Sequence, residues 1–327
     1  MRSHIAVDFS ASRVKPQTGA LEVRCPQEVD PLSLDNSVFI AGGIGVGLNN
    51  VADWQQQMIH ELLADVDVTA LNPRRENFPA DDPNALLEQI KWEHHALRAA
   101  QSVLFWLPAG YSCPITVYEL GVWSMRAKPI FVGIDPDYPN RDSLVAQLAV
   151  ARPNLKVVTN LKDLAQEVRE WRVGTARIDL PKPPPAFYPK RVYLNGGISR
   201  FPQWQRDLSD SLANENIVIV DPRQRRVDRT KLSGGEVREL ARTNHKKLLE
   251  SEAFCIWFPE ESKSPASLYE LGVLASMPER PLFVGADPNY FRLRDVVIQT
   301  SLVRPEVKVV TSLSDLAEQV RSYYKMR

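Results

Sequence analysis

SVFIAGGI, Ser37–Ile44, recurs as RVYLNGGI, Arg191–Ile198. Outward from these two stretches, the chain keeps agreeing with itself. A Trp-Gln pair follows each (Trp54-Gln55, Trp204-Gln205), then NPRR (Asn72–Arg75) or DPRQ (Asp221–Gln224). VYELGV (Val117–Val122) answers LYELGV (Leu268–Val273), and both copies close on RPxxKVVTxLxDLA (Arg152–Ala165, Arg304–Ala317). The offset is about 150 residues, which is the size of a domain and far longer than a solenoid repeat. The chain therefore divides into an N-terminal extension (1–36), a first domain (37–172), a spacer (173–190) and a second domain (191–327). The spacer carries PKPPP (Pro181–Pro185), which favours stiff, extended geometry.

Each copy alternates short apolar runs with helix-periodic stretches. In the first, Val38–Ala41, Val68–Leu71, Val103–Trp106, Pro129–Gly133 and Val157–Val158 read as strands. Trp54–Leu63, Asn84–Ala99, Ile115–Met125 and Leu161–Trp171 read as helices. A further short strand is expected over Leu21–Arg24 of the extension. Unbroken apolar strands between helices imply a parallel sheet covered on both faces. The expected fold is α/β: two tandem flavodoxin-like, Rossmannoid, doubly wound domains. Ligands then bind at the carboxyl ends of the strands, where the loops after strands one and three meet.

Composition narrows the function. Forty Lys and Arg balance forty Asp and Glu, which argues against a general electrostatic grip on nucleic acid or on a membrane surface. Cys25, Cys113 and Cys255 lack metal-ligand spacing, so neither a disulfide framework nor a zinc site is expected. A reducing, cytoplasmic setting fits, and no apolar run reaches membrane-spanning length.

Four features carry potential chemistry. Gly42, Gly43 and Ile44, with Gly196 and Gly197 in the second copy, would let backbone approach a ligand, or simply form a tight turn. They are not GxGxxG, there is no P-loop, and no dinucleotide cofactor is expected. Tyr118-Glu119 and Tyr269-Glu270 fall near a helix start, where the dipole favours an ionised carboxylate able to attack a sugar carbon; helix capping is the plainer explanation. Glu93 could pair with Glu119 to divide acid and base roles, whereas the second copy has Asn244 at that position. The neighbouring His94 and His95 point about 100° apart on a helix, so metal ligation is not expected. Arg74 and Arg223 stand beside strand ends and could hold a phosphate or base carbonyl. Trp54 and Trp204 could stack on a base or belong to the core.

Taken in order and spacing, AGGI, DWQ, LNPRR, DDPNA, QIKWEHxxL, PITVYELG and KPIFVG resemble the nucleoside 2-deoxyribosyltransferase-like family. The resemblance covers nearly all of the first copy. In the second it rests on GGI, WQ, YELG, RPLFVG and the closing helix. It implies a nucleoside or nucleotide substrate, no cofactor, and Glu119 (or Glu270) as nucleophile on C1′, with Glu93 at the family's sugar-binding acidic position. It further implies sites built where subunits meet, hence an internal pseudo-dimer and potentially further homo-oligomerisation. The family's acidic residue ahead of the nucleophile is missing from Pro108–Pro114, although Glu260 and Glu261 stand there in the second copy. The leading expectation is cleavage or transfer at an N-glycosidic bond, with the first copy active. A nucleotide-binding or sensing module without turnover, or a scaffold with vestigial crevices, are the alternatives.

Overall fold

The computed structural model describes residues 19–31, 34–44, 53–79, 81–82, 84–110, 112–176, 178–197, 203–222, 232–260 and 265–326. The first sheet contains β1 (Leu21–Arg24), β2 (Ser37–Gly42), β3 (Thr69–Asn72), β4 (Ser102–Leu107), β5 (Ile130–Ile134) and β6 (Val157–Val158), in the order β1-β3-β2-β4-β5-β6. The second contains β7 (Tyr188–Gly196), β8 (Val218–Val220), β9 (Ser251–Phe258), β10 (Leu282–Ala286) and β11 (Val309–Val310), in the order β11-β10-β9-β7-β8. All pairings are parallel. Counted within each copy, the shared order is 2-1-3-4-5, the flavodoxin-like doubly wound arrangement. The central strands are buried on both faces, which explains why they read as continuous apolar runs.

The extension is not an appendage to this architecture. β1 adds a sixth strand to the first sheet, pairing Leu21 with Thr69 and Arg24 with Asn72. The spacer is likewise stitched down. Lys182 N–H donates to the Ala151 carbonyl, Arg280 Nη2 donates to the Pro185 carbonyl, and β7 already begins at Tyr188.

Helices cover both faces of each sheet. In the first copy, α1 (Trp54–Gln57), continued by a π-helical turn (Met58–Leu62), and α5 (Leu161–Arg172) bury Trp54, Met58, Leu63, Leu164 and Val168 on one face. On the other lie α2 (Ala85–Ala99), α3 (Pro114–Ser124) and α4 (Arg141–Ala151). In the second copy, α6 (Gln203–Ser211) and α10 (Leu313–Lys325) take the first face, and α7 (Gly234–Leu249), α8 (Pro265–Ala275) and α9 (Leu293–Val303) take the other. α4 and α9 are additions to the sequence reading, which places no helix over either stretch.

The two α3-type faces meet each other. α3 runs against α8 more closely than any other pair of helices, and α4 packs on α7. One apolar cluster continues from Phe105 and Val132 of the first sheet to Phe254 and Val284 of the second. The closest approach is reciprocal and uses the glycine of each YELG. A β-carbon on Gly121 would lie 2.1 Å from the Tyr269 carbonyl oxygen, and one on Gly272 would lie 2.0 Å from that of Tyr118. Any larger residue must push the helices apart.

Candidate functional site

The turn after β2 is shaped by tryptophan. Trp54 and Trp204 are both 4% exposed, and their indole N–H groups donate to the carbonyls of Gly43 (3.1 Å) and Gly197 (2.9 Å). A β-carbon on Gly42 would collide with the Trp54 ring at 2.2 Å, and one on Gly196 with the Trp257 carbonyl at 2.0 Å. These tryptophans are therefore core residues that hold the turns in place. Base stacking is not open to them. Gly43 also reaches the start of α3, where its backbone N–H meets the Cys113 thiol, which burial pushes up to about 12. Ile44 is part-buried; Ile198 and Arg223 lie outside the described residues.

The two tyrosines of YELG likewise serve the contact between copies. Tyr118 donates its hydroxyl to the Gln299 carbonyl on α9 (3.0 Å), and Tyr269 pairs with the Ser124 hydroxyl on α3 (3.1 Å). Both rings are almost fully buried. Part of the YELG motif is therefore explained by packing.

Glu119 stands in the second turn of α3, past the reach of the helix dipole, and no acidic residue occupies the first turn. Its carboxyl is held well above the ordinary carboxylate range, first by burial and then by the negative charge of Glu93. This overturns the expectation of a carboxylate ionised by the helix start. Burial likewise pushes Glu93 up to about 7, against the pull of Gln89 and Arg75. Each carboxyl is thus harder to ionise than a solvated glutamate.

Behind Glu93 is a network that the sequence did not single out. Gln89 Nε2 donates to Glu93 Oε1 (2.7 Å) and to the Pro73 carbonyl (2.5 Å), while Gln89 Oε1 accepts from Arg75 Nε (2.8 Å) and the Cys25 thiol (3.1 Å). Arg75, rather than Arg74, thus acts on Glu93, by its charge and through Gln89. Arg74 is engaged with Asp53 (3.2 Å) and Gln55 (3.3 Å) at the start of α1. Cys25 follows directly on β1, so the extension contributes to this network.

A pocket beside Glu119 runs between α2, α3 and α9 and has about 370 Å³ of free space including its mouth. Ile90, His94, Arg98, Tyr118, Arg126 and Gln299 line it. Gln299 comes from the second copy. Burial and the charges of Arg98 and Arg126 lower the His94 pKa.

The larger crevice belongs to Glu270, with about 610 Å³ of free space. Here the YELG carboxylate, the Gly196 turn and Asn244 line one pocket, as the strand order requires. The first copy reaches in as well. Gln147 of α4 donates Nε2 to Glu270 Oε1 at 2.8 Å. Asn195 at the end of β7, Asn244 and Gln147 are 4%, 8% and 3% exposed. Each has a buried polar atom without a hydrogen-bond partner among the described residues: Asn195 Nδ2, Asn244 Oδ1 and Gln147 Oε1. Such atoms cost about 1–3 kcal/mol apiece. Gln147 was missed because it lies on a helix the sequence reading did not place. Its pairing with Gln299, at matching places in the repeat, was the available signal.

Two α/β units of matching strand order, each with a YELG helix on its inner face, are matched by one family description. The sequence model for "Nucleoside 2-deoxyribosyltransferase like" matches residues 35–138 and 189–290, more than half of the chain. The chain belongs to the nucleoside 2-deoxyribosyltransferase-like family. A search among curated proteins finds no match. Family membership accords with N-glycosyl transfer chemistry and a nucleoside ligand at a coarse level. Among the described residues of this family member, no helix is long and apolar enough to cross a membrane, and no cluster of three or more His, Cys, Asp or Glu could hold a metal.

Proposed function

We propose that the protein cleaves or transfers the N-glycosidic bond of a nucleoside or nucleotide, and that the acidic pair of the first copy performs the chemistry. What supports this reading is that burial raises both Glu93 and Glu119 above the ordinary carboxylate range and that they lie close enough for the charge of Glu93 to act on Glu119, while a double displacement needs one carboxylate and one carboxylic acid. In the reactive form, the Glu119 carboxylate attacks C1′. The C–N bond breaks, its electron pair goes to the base nitrogen, and Glu93 supplies the proton that nitrogen takes up. The Glu93 carboxylate then accepts a proton from water, or from a second base, as that nucleophile displaces Glu119 from C1′. No metal or cofactor enters this scheme.

On this reading, residues 37–172 and 191–327 are two domains paired as an internal pseudo-dimer. The reciprocal α3–α8 contact and the passage of Gln147 and Gln299 into the neighbouring pocket support that pairing. A second reading, a binding or sensing module without turnover, is favoured by one observation. The Glu270 crevice offers a single acidic residue among neutral amides, with Asn244 where the first copy has Glu93.

Incubation with a panel of nucleosides and nucleotides, followed by chromatography for free base, separates them. Base release abolished by Glu119→Ala and retained by Glu270→Ala is expected. The opposite pattern moves the chemistry to the second copy. Binding with no release from any compound supports the sensor.

A further inference from the structure

We propose that the extension ahead of the first copy is a working part of that copy's site, and that Cys25 and Gln89 are positioning residues which hold Glu93 so that one fixed oxygen carries its proton. The part this plays in turnover rests on the glycosidic reading above. The positioning itself rests on geometry.

Gln89 is buried, and its side-chain amide is engaged on every side. Its Nε2 donates to the Pro73 carbonyl and to Glu93 Oε1, and its Oε1 accepts from Arg75 Nε and the Cys25 thiol. Both groups facing Nε2 are acceptors, and the guanidinium facing Oε1 can only donate. Turned over, the amide would set its oxygen against two oxygens and its N–H groups against a cation, so it holds one orientation. Because Glu93 Oε1 receives that N–H, the proton of the Glu93 carboxylic acid falls on Oε2. A general acid needs its proton aimed at one atom, which a freely turning carboxyl does not provide. Arg75 and Glu119 are the charged groups that act on Glu93 from outside α2.

The extension secures this arrangement at two points. Cys25 follows directly on β1, its N–H donates to the Asn72 carbonyl (3.0 Å), and its thiol reaches Gln89 Oε1 at 3.1 Å. Burial pushes the thiol pKa up, so the group stays a donor. Two residues on, the Gln27 carbonyl accepts from the Trp92 indole N–H at 2.7 Å, next to Glu93 on α2. The second copy shows what goes with the acid. Arg75, Gln89 and Glu93 are all replaced there, by Gln224, Leu240 and Asn244. Among the described residues, β8 also carries no added strand in the place that β1 takes on β3. Strand, arginine, glutamine and acid thus occur together in one copy and are absent together from the other. Packing alone does not require that coincidence, whereas an acid whose proton must be aimed does.

The test is the titration of Glu93 in the full chain, followed by carbon NMR of isotope-labelled glutamate carboxyls and assigned by the signal lost in Glu93→Gln. Gln89→Leu, which installs the second copy's residue, removes the donor to Oε1 and should move the midpoint up from about 7 by about one pH unit. Cys25→Ala should move it the same way by about half as much, and Cys25→Ser, which restores a donor, should return it to the parent value. Thermal melts establish that the variants fold, and Gln89→Met and Cys25→Val replace any that do not. In base release, Gln89→Leu should lower kcat by about tenfold or more with KM within about threefold of the parent, and the decline with pH should move up with the midpoint. An unmoved midpoint in the glutamine variant overturns the inference, as does a Cys25→Ala midpoint equal to the parent's or a change confined to KM. The midpoint is read without substrate, so absence of base release from the parent protein counts against the glycosidic reading alone.

Discussion

Glu93 and Glu119 are held where neither carboxyl gives up its proton easily, and that has opposite consequences for stability and activity. A carboxyl whose folded pKa exceeds its unfolded value favours the fold below the unfolded value, about 4.5, and loses that contribution as pH rises through the folded one. For Glu93 the window is about 4.5 to 7. Glu93→Gln should therefore stabilise the protein at pH 8 by about 2 kcal/mol, read as a higher melting temperature, while base release falls. Equal melting of the variant and parent at pH 8 would mean the group is solvated. With Glu93 as the acid, base release should decline as pH rises through about 7, where that group loses its proton. A flat profile between pH 6 and 8 would contradict that role for Glu93. The sequence showed these two residues as candidates, since a two-copy comparison isolates YELG and the Glu93/Asn244 difference. It misjudged the charge of Glu119, because ionisation was argued from a helix end while burial governs it. Trp54 and Trp204 were left between core and ligand, and only coordinates could show their indole N–H groups spent on the glycine turn.

At the level of elements, α3 and α8 explain why a glycine closes each YELG motif. With a neighbouring carbonyl about 2 Å from where a β-carbon would sit, even alanine forces the helices to separate. Gly121→Ala and Gly272→Ala should each cost about 1–3 kcal/mol, measured by denaturant unfolding. A neutral result would show that the crossing is loose. Strands and most helices were readable because their apolar residues follow one period. α5 buries Leu164, Ala165 and Val168 along a single stripe. α4 was not readable for a physical reason. It buries Leu144, Gln147, Leu148 and Ala151 along one stripe, but that stripe contains a glutamine, and the apolar Val145, Ala146, Ala149 and Val150 lie outside it. A helix with a polar residue in its buried stripe and apolar residues on its other faces lacks the contrast that identifies it. α4 is also the element that brings Gln147 to Glu270, so the missed helix and the missed site residue are one omission.

Over the whole molecule, the apolar cluster shared by the two inner faces predicts joint unfolding. Calorimetry should show one cooperative transition, with calorimetric and van't Hoff enthalpies in agreement. Two resolved transitions would mean that the faces are docked only weakly. The spacer adds to the coupling. Arg152, fully buried, donates to the carbonyls of Ser124, Trp123, Lys128 and Asp179, clamping the end of α3 to the stretch that leads into the second copy.

The reciprocal glycine seam also bears on ancestry. Two identical chains meeting across such a seam must carry the same residue on both sides, so a change that benefits one side is imposed on the other. Joining them end to end replaces chance encounter by tethering and frees each half to accept its own substitutions. Glutamate at position 93 opposite asparagine at position 244 is a divergence that a pair of identical chains cannot keep.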